Sequence, residues 1–306
     1  MLVLETLAPL ILLIALGAGL AHIKFLGREF MNDLNKLAFW IALPALLFIS
    51  ANHASEPGSQ TWLLLGVIVV ATFAIIALAW GLSFLLRMPS TVRGTLMQSA
   101  FRGNLAYIGI PVLAYILAGD SRAMATAVIV MVLLMATYNI LAVIVLQTGT
   151  HAGGTDWRKV ARSILTNPLM LAGLLGLIVP LLGIAVPSFI DRALQSLGAA
   201  AVPIALLCIG GSLATTPLRG RRSWITAAAL LKVAILPLMV YGLSRFAGLG
   251  LAEQRIALIF ASCPTAAASF VMAKQMGGDE ALASGSIALS TVLSGLSLAA
   301  ALWATS

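Results

Sequence analysis

The sequence predicts an all-α polytopic membrane protein, with ten transmembrane helices arranged as two inverted five-helix repeats. Three observations lead to this prediction. The 306-residue chain is 61% hydrophobic and only 9% charged, with a mean hydropathy of +1.06, a composition that excludes an ordinary soluble domain. Its apolar runs have the length of membrane spans. Prolines, glycines and an aspartate also recur in the two halves at one fixed offset.

The apolar runs form two sets of five, and each run is close to the roughly 20 residues that a helix needs to cross the hydrocarbon core. The runs cover residues 4–24, 33–52, 62–86, 94–118 and 122–147, and then 163–184, 193–215, 223–245, 254–275 and 281–303. The predicted organisation is therefore a first repeat at 1–150, a cytoplasmic connecting loop at 151–162 and a second repeat at 163–306.

Lysine and arginine residues orient the predicted spans. Most of those in the connections follow odd-numbered spans, as Lys24, Arg87 and Arg221 do, and both chain ends lack them. Cytoplasmic loops retain positive charge, so both termini should face the non-cytoplasmic side of the inner (plasma) membrane. The net charge of +8 is then a topology signal. The lipid bilayer is the expected environment, and no nucleic-acid partner is predicted.

An internal repeat is indicated by identical residues that lie one fixed distance apart. Matches of residues that bend or end helices are informative, and five spans in each half would give the halves opposite orientations, as in many secondary transporters. At an offset of 159 residues the matched pairs are Pro9 and Pro168, Gly17 and Gly176, Pro44 and Pro203, Phe101 and Phe260, and Asp120 and Asp279.

Spans four and nine are predicted to be broken helices that cross near the membrane midplane. Span four contains the polar segment Arg102-Gly103-Asn104, followed by Pro111, and span nine contains Pro264 and Thr265. Interrupted spans at matching places of two repeats indicate a transport site, and half-helix N-termini favour anionic groups. A pair of ordinary proline kinks with packing roles is the alternative.

Spans two and seven carry the matched prolines Pro44 and Pro203, which predict helix kinks. Kinked helices commonly form the wall of a cavity. A packing kink without any ligand contact is the alternative for both positions.

Two positive charges are predicted to lie inside the membrane. Arg102 and Lys232 are each about ten residues from the charged end of their span, which places them about 15 Å deep. All ten acidic residues lie at span ends or in loops, so no carboxylate neutralises the two cations. Intramembrane charge is costly and by default functional. The partner is a carbonyl cluster, a half-helix C-terminus or the substrate itself, and an anionic substrate is the simplest of these. The alternatives are snorkelling of Lys232 and contacts of Arg102 with unwound carbonyls.

Several short motifs, taken in order, resemble the auxin efflux carrier family, which includes malonate-transporter-like bacterial members and the plant PIN carriers. The motifs span almost the whole chain: Leu34-Asn-Lys-Leu37 before Leu43-Pro44, Gly103-Asn104 before Gly109-Ile110-Pro111, Asn167-Pro168-Leu169, Lys232 before Pro237, and Pro264 before Ala273-Lys274-Gln275 and Gly277-Gly278-Asp279.

This resemblance implies ten spans in two inverted repeats, a substrate site where broken helices four and nine cross, and a homodimer. By position it implies that Asn104 meets a substrate carboxylate. Plant members have proline where this chain has Gly103, and many have a long cytoplasmic loop that is absent here. Auxin as the substrate is therefore not implied.

The expected function is secondary transport of a small organic anion, such as a carboxylate, by alternating access. Asn104 and Thr265 would bind the substrate, with Asn104 hydrogen-bonded to the carboxylate, and Arg102 or Lys232 would supply positive charge. Gly103 and Pro264 would keep the helices open. A non-transporting receptor or scaffold, and a carrier of a neutral or cationic solute, remain alternatives. The sequence leaves the substrate, direction of transport and coupling ion open.

Other classes of function lack the residues that they need. The histidines lie at span ends or in loops, and the sequence has no HExxH, no G-x-S-x-G and no ATP-binding motif, so neither an enzyme nor a cofactor is predicted. Cys208 and Cys263 lie in apolar segments without a CxxC or Cys/His cluster, which predicts buried thiols and no metal site. Two isolated cations do not form the polar ring of a channel.

Overall fold

A computed structural model describes residues 2–53, 58–147, 158, 161–162, 165–215 and 220–305 of the chain. Within these ranges the protein is helical and forms no β-strand. The α-helices in chain order are α1 Leu2–His22, α2 Arg28–Leu37, α3 Leu43–Asn52, α4 Ser59–Leu85, α5 Ser90–Phe101, α6 Ile110–Ile116, α7 Ser121–Gln147, α8 Pro168–Leu181, α9 Ser188–Thr215, α10 Arg222–Leu230, α11 Leu236–Phe246, α12 Leu251–Ser262, α13 Ala268–Gln275 and α14 Glu280–Ala304.

Three π-helical turns interrupt these helices. The turn at Ala38–Ala42 joins α2 to α3, the turn at Leu105–Gly109 leads into α6, and the turn at Leu231–Ile235 joins α10 to α11. Most of the predicted connecting loop at 151–162 lies outside the described residues.

Six described helical segments are long and apolar enough to cross a membrane, and they coincide with predicted spans two, three, five, seven, eight and ten. These segments are Glu29–Asn52, Ser59–Leu85, Ser121–Gln147, Ser188–Ser212, Arg222–Phe246 and Glu280–Ala304. Predicted spans one and six correspond to the shorter apolar segments Ala8–His22 and Pro168–Leu181, and spans four and nine are each divided into two helices. The structure thus confirms an all-helical protein with several candidate spans, while the ten-span inverted repeat stays a prediction.

Helices of the two halves begin at matching places. The half-helices α5 and α12 begin at Ser90 and Leu251, within two residues of the offset. Asp120 and Asp279, which match at the sequence offset, directly precede α7 and α14. The carboxylate of Asp120 accepts the N–H three residues later at 2.9 Å, and that of Asp279 does the same at 2.7 Å. Such N-caps satisfy a donor that the first helical turn leaves free. The shared caps support the predicted repeat.

Residue contacts divide the chain into two compact units, each made of three segments. The first unit is Met1–Thr61, Ala106–Leu133 and Arg162–Thr215, and the second is Trp62–Leu105, Leu134–Ala161 and Thr216–Ser306. Each unit combines segments from both predicted repeats. A compact unit is therefore different from a repeat, and the repeat boundaries stay a prediction about the sequence.

In the first unit α1 packs along α9, and α3 packs along α8. Gly17 of α1 lies against the main chain of Leu207, and Gly176 of α8 lies against the main chain of Phe48. Small residues of this kind let membrane helices approach closely. The offset of 159 residues relates Gly17 to Gly176 and Phe48 to Leu207, so the two contacts are reciprocal. Two-fold related repeats produce reciprocal contacts, which again supports the predicted repeat.

The second unit encloses the half-helices α5 and α12. Every residue at 94–101 of α5 and at 256–262 of α12 is buried. Within this unit α5 contacts α10 and α14, and α12 contacts α11 and α14. Helices that are buried on all sides belong to the interior of a fold. The C-terminal ends of both half-helices therefore lie inside the second unit.

Candidate functional site

The two half-helices end for different local reasons. Cys263 precedes Pro264, whose ring disfavours helical geometry at the residue before it, and Cys263 has φ −58° and ψ 140°. The α5 side has no proline at its break. There the chain leaves the helix at Arg102, with φ −75° and ψ 95°, before Gly103 and Asn104, two weak helix formers. Proline in one helix and glycine with asparagine in the other thus produce equivalent breaks.

The two breaks pair with each other through the main chain. The N–H of Asn104 donates to the carbonyl of Pro264 at 2.8 Å, and the N–H of Ala266 donates to the carbonyl of Arg102 at 2.9 Å. We call these paired segments, 102–104 and 264–266, the crossover. Backbone groups in a membrane interior need protein partners, so the mutual pairing stabilises both interruptions.

Thr265 lies opposite Gly103 in the centre of this antiparallel bridge. Its exposed fraction is 0%. Its Oγ1 donates to the carbonyl of Ser99 at 2.8 Å, and its N–H donates to Oγ of Ser290 at 3.0 Å. A Cβ atom at Gly103 would meet the carbonyl oxygen of Phe260 at 3.3 Å, so the close approach favours glycine. In this conformation Thr265 ties the crossover to α5 and α14.

Asn104 is the partly exposed residue of the crossover. Its N–H belongs to the bridge, while its side chain is half-buried, whereas Gly103, Pro264 and Thr265 are buried. A side-chain amide offers donors and an acceptor together. The location of Asn104 is therefore compatible with hydrogen bonding to a polar ligand.

Arg102 is held by two uncharged side chains. One terminal nitrogen of its guanidinium donates to Oδ1 of Asn139 at 2.5 Å, and the other contacts the sulfur of Met272. Its exposed fraction is 8%. Within the described part of the chain no acidic side chain forms an ion pair with it. A guanidinium has five N–H donors, so positive charge and donor capacity remain for a ligand.

Lys232 has a different environment from Arg102. Its exposed fraction is 0%, and its ammonium donates to the carbonyl of Ala261 at 2.5 Å. Ala261 belongs to the last turn of α12, where carbonyls lack intrahelical partners and the helix dipole is negative. In this conformation Lys232 caps the broken helix, and a contact with substrate stays a prediction.

Three prolines follow the π-helical turns. Pro44, Pro111 and Pro237 each come two residues after the end of a turn, in the first positions of α3, α6 and α11. Proline has no N–H, and its ring clashes with the carbonyl four residues earlier. A wider π-helical turn relieves that clash and is frequent at functional sites. Pro203 instead lies within the continuous helix α9.

Sequence reasoning missed four residues that hold the crossover: Asn139, Met272, Ser99 and Ser290. Asn139 carried a usable signal, since it is a polar side chain in the apolar helix α7. Methionine and serine are common in membrane helices, so their spacing alone gave no indication.

The described residues contain no group of three or more His, Cys, Asp or Glu side chains that could hold a metal ion. Cys208 and Cys263 are free and buried, which confirms the prediction of buried thiols.

Apolar helices of membrane-spanning length, together with two broken helices that pair at their breaks, define a multi-pass membrane protein of the kind seen among secondary transporters. The sequence matches the family described as "Membrane transport protein" over residues 2–152 and 157–302. The chain belongs to this family, which is the auxin efflux carrier family that its motifs resemble.

Relatives align over nearly their full length. The "Putative malonate transporter" of Rhizobium meliloti (strain 1021) is 28% identical over 296 residues, which cover 94% of this chain and 90% of that protein. An "Uncharacterized transporter" of Methanothermobacter thermautotrophicus is 29% identical over 304 residues, with coverages of 96% and 95%. Another, of Methanocaldococcus jannaschii, is 24% identical over 313 residues, with coverages of 99% and 98%. The family and these relatives are transporters and not enzymes.

Proposed function

We propose that this membrane transporter is a secondary carrier of a small organic anion, such as a carboxylate, and that it works by alternating access. The observation that carries the proposal is the environment of Arg102. This residue is a cation at the crossover, and its partners in the described residues are uncharged. An anion would supply the missing counter-charge, and guanidinium–carboxylate hydrogen bonds are among the strong ones. The name of the Rhizobium relative, at 28% identity, agrees with a carboxylate substrate.

The proposed roles follow the exposure of Asn104 and the uncharged partners of Arg102. Asn104 hydrogen-bonds the carboxylate and Arg102 supplies positive charge, while Gly103 and Pro264 keep both helices broken. Thr265 and Lys232 are buried in this conformation. They would reach a substrate only in another step of the transport cycle.

The membrane arrangement is part of the proposal. The distribution of lysine and arginine supports both termini on the non-cytoplasmic side of the inner (plasma) membrane. Resemblance to the family supports a homodimer.

Uptake into proteoliposomes tests the proposed function. We expect saturable uptake of malonate or another short carboxylate, and thermal stabilisation of the purified protein by the same anion. Replacing Asn104 with Ala should abolish both while the variant still inserts into the membrane. Asn32→Ala, at an exposed position of α2, is the matched control and should transport normally.

Three other results would each contradict one part of the proposal. Binding without flux would favour a non-transporting receptor or scaffold. Flux of a neutral or cationic solute alone would contradict an anionic substrate. Normal uptake by Asn104→Ala would remove the crossover as the substrate site.

A further inference from the structure

Asn139 lies in α7 and reaches the end of α5. Its neighbour Tyr138 is buried and packs edge-on against Phe101, with 5.4 Å between the ring centroids. Such aromatic pairs prefer this geometry and stabilise the contact. The pair fixes this part of α7 beside the residue that precedes Arg102. Asn139 is thereby held where its Oδ1 lies 2.5 Å from the guanidinium.

The chemistry of this contact fixes the orientation of the amide. A guanidinium only donates hydrogen bonds, so the oxygen of Asn139 faces Arg102 and its NH2 group faces away. An amide oxygen accepts a hydrogen bond without cancelling the charge of the donor. The thioether of Met272, the other partner, is also uncharged and is a weak acceptor.

We propose that Asn139 is a positioning residue that fixes Arg102 and, because it is neutral, keeps the charge of Arg102 available to an anionic substrate. This inference rests on the proposed function and adds a determinant of substrate charge to it. A carboxylate at position 139 would form an ion pair with the guanidinium and compete with the substrate for it.

Asn139→Asp tests this role with almost no change of side-chain shape. We expect the KM for carboxylate uptake to rise about tenfold or more, because the new charge pair removes the attraction for the anion. The thermal stability of the variant should not fall, since the added carboxylate gains a partner. A residue with only a packing role would leave KM unchanged.

Two further variants distinguish a role of Asn139 in positioning Arg102 from a role in folding. Asn139→Leu removes the acceptor at similar volume and should also raise KM, with a lower melting temperature, because a donor of Arg102 loses its partner. Asn32→Asp makes the same chemical change at an exposed position of α2 and is the matched control. It should leave KM unchanged, because position 32 has no part in the crossover.

The wild-type measurement distinguishes a failure of the proposed function from a failure of the role of Asn139. Absence of saturable carboxylate uptake by the wild type would overturn the proposed function. Saturable uptake by the wild type, with an unchanged KM in both Asn139→Asp and Asn139→Leu, would overturn the role of Asn139 alone. If the Asp variant does not insert into the membrane, the KM of the Leu variant decides whether Asn139 has this role.

Discussion

Arg102 and Lys232 look equivalent in the sequence but bind different partners in the folded chain. Both lie about ten residues from a charged span end, and this spacing predicts depth in the membrane without showing where a side chain points. Arg102 is buried among neutral side chains, whereas Lys232 is fully buried and caps α12. The difference comes from contacts with residues far away in the sequence, which no local pattern records.

Matched substitutions should distinguish the roles of these two cations. Arg102→Gln should raise the KM for the transported anion about tenfold or more, because a charged hydrogen-bond donor is lost. Lys232→Gln should change KM less than Arg102→Gln does and lower the melting temperature, because the ammonium binds the Ala261 carbonyl. Uptake kinetics and thermal unfolding of the same preparations provide the measurement. A raised KM in the lysine variant alone would reverse the two assignments.

Thr265 permits a test of the contacts inside the crossover. Thr265→Val keeps the shape and removes the hydroxyl that donates to the Ser99 carbonyl. We expect it to lower the free energy of unfolding by about 1–2 kcal/mol, because the buried carbonyl loses its partner. Thr265→Ser retains the donor and serves as the control. Equal melting temperatures for the two variants would show that the hydroxyl does not stabilise the crossover.

At the scale of elements, local sequence rules account for where helices are interrupted. Pro264 explains the end of α12 through its effect on Cys263, and Gly103 with Asn104 explains the end of α5. These rules do not distinguish Pro44 from Pro203. One follows a π-helical turn and the other lies in a continuous helix. A proline removes one N–H in either case, and the packing around the preceding turn decides how the helix accommodates the loss.

The close packing of α1 on α9 can be tested with two substitutions in the same helix. A Cβ atom at Gly17 would collide with the main chain of Leu207, while one at Gly19 would meet nothing within 4 Å. Gly17→Ala should therefore destabilise the protein by about 1–3 kcal/mol. Gly19→Ala should be neutral or slightly stabilising. The reciprocal variant, Gly176→Ala, should cost a similar amount.

Thermal unfolding in one detergent measures all three glycine variants. Equal melting temperatures for Gly17→Ala and Gly19→Ala would contradict the close packing. A large difference between Gly17→Ala and Gly176→Ala would argue against reciprocal contacts.

At the scale of the whole molecule, the sequence predicts a relationship between the two halves but not the compact units. Repeated residues at one offset predicted the repeat, and the caps of α7 and α14 support it. The division into two units depends on contacts between segments from both halves. Composition and periodicity describe each segment separately, so they do not predict which segments pack together.

The orientation in the membrane can be measured with two introduced cysteines. Phe25, 73% exposed, follows predicted span one, and Phe246, 92% exposed, follows predicted span eight. Replacement of the buried Cys208 and Cys263 with Ala provides the background. In intact cells a membrane-impermeant thiol reagent should label Phe246→Cys and leave Phe25→Cys unlabelled, because the positive loops remain in the cytoplasm. The opposite labelling would place both termini inside the cell.

The pairing of the two breaks also determines the order in which the chain can be assembled. Thr265 and Ser99, which it binds, are 166 residues apart in the sequence. Synthesis proceeds from the N-terminus, so α5 is made long before its partner segment exists. During that interval the N–H of Asn104 and the carbonyl of Arg102 lack the bonds that they make in the finished protein. The crossover is therefore a late product of biosynthesis, and a ribosome that stops before Pro264 releases a chain that cannot complete it.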